Sequence, residues 1–234
     1  MRGILLDKDG TLLSFEATWM PALKRQALLA AGGDPERAAA LLVAGGLDPE
    51  TGKFRSGSVI GAGTTEMMVE LWHPGASPDE QAVLVADLDR AFHAHGLENS
   101  VPFDDVVETL AELAGAGYVL GVATNDGEAA TLAALGATGL NRFLPHVFGY
   151  DSVAHAKPAP DMVHAFCDAT GLAPAEVVVV GDNAHDIAMA RAAGAGLAIG
   201  VTTGNSSAAD LTPIADAVID RLGALPGWLH QNRK

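Results

Sequence analysis

The amino-acid sequence predicts an α/β fold, a Rossmann-like parallel-sheet core interrupted by an inserted all-helical domain. Short apolar runs alternate with segments of helical spacing over the second half of the chain. One further apolar run stands alone near the N-terminus, and the stretch between holds helix patterns with no convincing strand. Alternation of this kind argues for parallel strands covered on both faces, because each crossover connection lays a helix on the sheet.

The elements follow in order. Ile4-Leu5-Leu6 reads as a buried strand cut short by charge and glycine. Helices are expected over 16–31, 35–44, 58–72 and 78–95, separated by the turn-rich Gly45-Gly46-Leu47-Asp48-Pro49 and His73-Pro74-Gly75-Ala76. Residues 14–100 are therefore expected to form a separate helical domain, leaving 1–13 and 101–234 as the α/β core. In that core, strands are predicted over 118–123, 146–149, 177–180 and 197–201, with helices over 105–116, 128–135, 160–170 and 184–193.

The chain has 234 residues, 49% of them apolar, enough to bury a core and an insertion. Its 29 acidic and 14 basic residues give a formal charge of -15, which argues against broad nucleic-acid or anionic-membrane binding. A phosphorylated substrate stays compatible, since a bound divalent cation and one or two placed basic groups reverse the potential locally. The single cysteine, Cys167, excludes an intrachain disulfide and reads as a small buried residue of a helix. The apolar start is too short for a signal peptide and no later run approaches membrane-spanning length, so a cytoplasmic protein, monomer or homodimer, is expected.

In such a fold, ligands collect beyond the carboxyl ends of the strands. Asp7, Asp9, Gly10 and Thr11 follow the first strand, Thr124-Asn125 the second, Lys157-Pro158 lies in the loop after the third, and Gly181-Asp182-Asn183-Ala184-His185-Asp186 follows the fourth. Each piece is common alone; the order and strand context make the set specific. On Asp7-Lys8-Asp9-Gly10-Thr11-Leu12, Thr124, Lys157 and Gly181-Asp182 with Asp186, the chain resembles the haloacid dehalogenase superfamily, in its phosphatase branch with a helical C1-type cap after the first strand. The run Asp-Lys-Asp-Gly-Thr-Leu-Leu and the cap position are similar to phosphoglycolate phosphatases. The resemblance implies a magnesium-dependent phosphatase for a small phosphorylated metabolite, with phosphoglycolate as the expected substrate.

The chemistry supports that resemblance. Phosphoryl transfer requires a charge-rich group to be held in line with a nucleophile, and a carboxylate can attack to give an aspartyl-phosphate. Asp7 takes that role, and Asp9 is the acid that protonates the leaving alkoxide and then the base for water. All-oxygen ligands favour a hard ion such as Mg2+. Asp7 and Asp182 are the expected side-chain ligands, and the family pattern adds the Asp9 carbonyl and Asp186, the latter directly or through water. Gly10 and Thr11 are expected to bring turn amides to the phosphate, Thr124 a hydroxyl with support from Asn125, and Lys157, mostly on the family pattern, a point charge.

Other residues read as structural. Lys8 is expected on the opposite face of a continuing strand, and Trp19 and Trp72 in helix packing. Lys53 and Arg55 lie in a glycine-containing loop, where a basic group could meet a substrate carboxylate. Asp126, Asn183 and His185 border the motifs without an assigned role. The alternatives are a phosphosugar mutase, whose first motif commonly ends in Gly-Val rather than Gly10-Thr11, and a non-catalytic protein that binds a phosphorylated ligand. A dehalogenase would lack the second acidic residue, Asp9.

Overall fold

The computed structural model of the protein describes residues 1–232. Six strands form one parallel sheet in the order β3-β2-β1-β4-β5-β6: β1 (Gly3–Leu6), β2 (Val119–Ala123), β3 (His146–Phe148), β4 (Val177–Gly181), β5 (Leu197–Val201) and β6 (Ala217–Ile219). The first strand lies at the centre, with Leu6 opposite Val122 of β2 and Val180 of β4. All four of its residues are buried.

Strand alternation sorts the side chains into two cores. Ile4, Leu6, Val122, Val178 and Val180 face one, with α6 (Val106–Gly115), α7 (Glu128–Thr138) and α11 (Leu225–Gln231). Leu5, Val177 and Val179 face the other, with α8 (Asp161–Thr170), α9 (Ala184–Ala193) and Leu211 of α10 (Ala208–Leu211). Cys167 is buried there, as expected for a small packing residue.

A third apolar cluster belongs to the stretch between β1 and α6. Here α1 (Phe15–Ala30), α2 (Pro35–Ala44), α3 (Val59–Ala62), α4 (Thr65–Trp72) and α5 (Pro78–Asn99) pack through Trp19, Leu23, Leu42, Phe54, Met68 and Phe92. The chain enters and leaves this bundle side by side: Leu13 bridges antiparallel to Pro102, and Ser14 N–H donates to the Val101 carbonyl at 2.8 Å. No helix among the described residues is long and apolar enough to cross a membrane.

Several elements differ from expectation: α10 and α11 were not predicted, and α7 runs past 135 to Thr138. The single helix predicted over 58–72 is two, because Gly61 and Gly63 weaken it and the Thr64 side chain caps a new N-terminus by accepting from Met67 N–H. Helix α5 runs four residues past 95, to Asn99. The sixth strand was not predicted: β6 has three residues, two of them only partly buried, between Asp216 and Asp220.

Asp216 also ties α9 to this edge. Arg191 reaches both its oxygens at 2.9 Å, and Ala198 N–H donates to Oδ2 at 2.8 Å. Burial opposes the charged form, but the guanidinium and the amide outweigh it and hold the carboxyl below the usual aspartate range. The depressed value places this stabilisation above the ordinary aspartate pKa, and it is lost as pH falls through the folded-state value. Asp216→Asn is therefore expected to cost about 1 kcal/mol at pH 7, a modest figure because both partners are partly exposed. Urea unfolding should show that difference shrinking in strong acid.

Candidate active site

Asp7 stands at the tip of the central strand, where its N–H continues the ladder to the Val180 carbonyl at 2.8 Å. The tips of the neighbouring strands bring it company. Lys157, in the loop after β3, donates to Asp7 Oδ1 and to Asp186 Oδ1, each at 2.6 Å. Asp182 follows β4, and Asp186 lies in the first turn of α9, where it accepts from Asn183 N–H at 3.0 Å. Asp7, Asp182 and Asp186 present carboxylate oxygens within 4.8 Å of one another.

Three glycines make this convergence possible, Gly204 among them, where a Cβ would fall on the Asp182 carboxylate. At Gly181 a Cβ would fall on the Asp186 carboxylate. Gly10 has φ +84° and its missing Cβ would sit 2.6 Å from Asp182 Cγ, so a side chain is excluded by both conformation and space. Asn205 N–H fixes Asp182 by donating to Oδ2 at 2.8 Å.

The charge balance is unequal. Burial pushes Asp7 up to about 7 against the pull of Lys157, and burial with the charges of Asp7 and Asp186 pushes Asp182 up as well. Burial disfavours the Lys157 ammonium too, but the two carboxylates more than offset it. With all three carboxylates ionised, one ammonium leaves two negative charges, which one divalent ion would neutralise. The all-oxygen donor set and its spacing fit a hard cation.

Asp9 faces different partners. Its Oδ2 meets the Lys8 ammonium at 2.5 Å and its Oδ1 accepts from the Trp19 indole N–H at 2.5 Å. Lys8 also donates to Asp126 Oδ2 at 2.6 Å. Burial raises the Asp9 pKa, and Lys8 opposes the rise. Lys8 thus does not sit apart: β1 ends at Leu6 and the chain turns, with Leu12 and Leu13 N–H both donating to the Lys8 carbonyl, so strand alternation no longer applies.

Asp7, Asp9, Thr124, Asn125, Lys157, Asp182 and Asp186 all line one cavity of about 60 Å³. That is small beside the ~300–1,000 Å³ of pockets for drug-sized ligands. The Thr124 hydroxyl accepts from Asp126 N–H at 3.1 Å, which leaves its proton available. Asn125 braces the lysine loop, accepting from Lys157 N–H at 3.0 Å.

The other two predicted contacts must be corrected. Gly10 and Thr11 do not reach the cavity wall. Gly10 N–H is spent on the Leu13 carbonyl at 2.7 Å, its carbonyl accepts from Thr203 Oγ1 at 2.6 Å, and the Thr11 side chain is buried. The turn acts by packing against Asp182.

Sequence reasoning missed the roof. Ile60, Gly61, Ala62 and Gly63 of the α3 region close over the cavity with Phe15. The Ala62 carbonyl accepts from Asn125 Nδ2 at 2.8 Å and lies 3.3 Å from His185 Nδ1. Paired glycines in an apolar run were the available signal. Lys53 and Arg55 do not line the cavity; Lys53 lies 3.8 Å from Glu16 on the surface.

A family model described as haloacid dehalogenase-like hydrolase matches residues 1–194. The chain belongs to that family. This haloacid dehalogenase-like hydrolase is 30% identical over 226 residues to the phosphoglycolate phosphatase of Pectobacterium atrosepticum, covering 94% of this chain and 89% of that protein. It is 42% identical over 129 residues to the protein called Probable phosphatase IndB of Dickeya dadantii, where the match spans 55% of this chain and only 56% of the relative. CbbY of Rhodobacter sphaeroides, solved in complex with phosphate, superposes with a TM-score of 0.68 at 21% identity, covering 96% of each chain, and so shares the fold.

Proposed function

We propose that this haloacid dehalogenase-like hydrolase is a Mg2+-dependent phosphatase that cleaves a small phosphate monoester through an aspartyl-phosphate on Asp7. One observation carries the reading: a buried carboxylate at the tip of the central strand, bonded to Lys157 and beside Asp182 and Asp186. In this reading residues 14–100 are the cap and residues 1–13 with 101–234 hold the chemistry.

Asp7, Asp182 and Asp186 would hold the metal, which when bound supplies charge neutralisation for an anion attacking an anion. Lys157 leaves Asp7 Oδ2 free and presents its positive charge where the phosphoryl oxygens gather. The free proton of Thr124 Oγ1 donates to the same group. Asp7 forms the new O–P bond as the ester O–P bond breaks, and Asp9 gives its proton to the departing oxygen. Asp9 then takes a proton from water as the water oxygen attacks phosphorus, which frees Asp7 and releases phosphate.

Phosphoglycolate is the substrate that the relatives' names and the motif favour. A second reading, an ester with an uncharged leaving group, is favoured by the cavity. Lys157 is its one lysine or arginine among the described lining residues, and that ammonium is already bonded to two carboxylates. Phosphate release from phosphoglycolate and from ethyl and glycerol phosphates, with Mg2+ and with a chelator, tests both. The expected result is release that depends on Mg2+. A purified protein that binds phosphorylated ligands and hydrolyses none of the esters sinks the enzyme reading. A clear kcat/KM preference for the uncharged leaving groups decides against phosphoglycolate.

A further inference from the structure

Asp9 is gripped at both oxygens by residues that the chemistry described so far does not use. The Trp19 indole N–H holds Oδ1 and the Lys8 ammonium holds Oδ2, each at 2.5 Å. Lys8 is fully buried, bonds Asp126 Oδ2 at 2.6 Å, and lies 4.6 Å from the centre of the Trp19 ring. Asp9, Trp19, Lys8 and Asp126 therefore form one continuous set of contacts. Trp19 is itself braced in the helical bundle, edge to face with Phe92 at 5.6 Å.

A buried lysine is costly to desolvate, and here it satisfies two carboxylates and an aromatic face at once. A carboxyl group turns freely about its last torsion, whereas proton transfer requires it to be held within about 0.5 Å of the productive position. Two donors on two oxygens remove that freedom. They differ in strength: the ammonium bond is charge-assisted at both ends, the indole bond at one. The indole is the weaker donor, so Oδ1 is the oxygen on which a proton is accommodated at the lower cost.

We propose that Lys8 and Trp19 are positioning residues for Asp9, with Asp126 the countercharge that keeps Lys8 in place. The proposal rests on the acid/base reading of Asp9 and adds a condition to it. Because Trp19 belongs to α1, the grip on Oδ1 forms only while that helix lies over the site.

Trp19→Phe keeps an aromatic ring, though a smaller one, and removes the N–H. Its kcat/KM is to be compared on an alkyl phosphate, whose leaving alkoxide needs a proton, and on p-nitrophenyl phosphate, whose leaving phenolate does not. Displacing a general acid forfeits part of its ~10²–10⁴-fold contribution, so a loss of about tenfold is expected on the alkyl ester and a distinctly smaller loss on the aryl ester. Equal losses on both, or none, overturn the proposal. An independent readout is the indole N–H resonance of Trp19, identified by its absence in Trp19→Phe. It should move in Asp9→Asn, and an unmoved resonance also overturns the proposal. Failure of the parent reading has its own signature: the wild-type protein then cleaves neither ester.

Discussion

Asp7→Asn is expected to abolish turnover, by ~10⁴-fold or more, because no other group stands ready to form the covalent bond to phosphorus. The fold should survive. In the metal-free protein Asp7 is a crowded buried carboxylate whose pKa burial has pushed up to about 7, so a neutral side chain of the same shape relieves repulsion at Asp182 and Asp186. Lys157 keeps Asp186 as a partner. Steady-state phosphate release together with thermal unfolding checks both halves. Activity close to wild type rules Asp7 out as the nucleophile.

Lys157→Met should damage both chemistry and stability. Its ammonium is buried between Asp7 and Asp186, and taking it away leaves two carboxylates without their cation. Breaking a buried pair from one side costs ~3–5 kcal/mol. At ~2–4 °C per kcal/mol for a chain of this size, the metal-free Tm should fall by roughly 10 °C. Loss of a transition-state charge should lower kcat by ~10²–10³. The variant site is one unit more negative, so Mg2+ should raise its Tm by more than it raises that of the wild type. Differential scanning fluorimetry with a metal titration decides the point, and equal shifts in the two proteins contradict the proposed sharing of Asp7 and Asp186 between lysine and metal.

Much of this was legible from local pattern. The run of four valines announces β4, and α9 spans the predicted residues because Asn183 caps it and Gly194 ends it. Asp7, Asp182 and Asp186 were findable because each lies just past a buried strand or at the helix that follows, where backbone geometry delivers side chains to a ligand. What stayed hidden depends on distant docking. The roof at Ile60 and Ala62 exists only because the helical bundle folds back onto the core, and nothing in that stretch names its target. The side on which Lys8 lies was misread because strand alternation was carried beyond the point at which the chain turns. Gly10 and Thr11 were read as ligand contacts when their turn serves Asp182 instead.

The central place of β1 bears on how the protein is made. Its two partners begin at Val119 and Val177, so this strand leaves the ribosome without a neighbour and stays so until Val119 and the residues after it have followed. At ~5–20 residues per second, that leaves Gly3–Leu6 unpaired for several seconds of synthesis while the helices of the insertion can already associate. Pairing across such sequence separations is intrinsically slow, and Asp7 is positioned only once it is complete. The strand that carries Asp7 is thus synthesised well before either of its partners, and it stays open in the meantime to a chaperone that binds extended apolar chain.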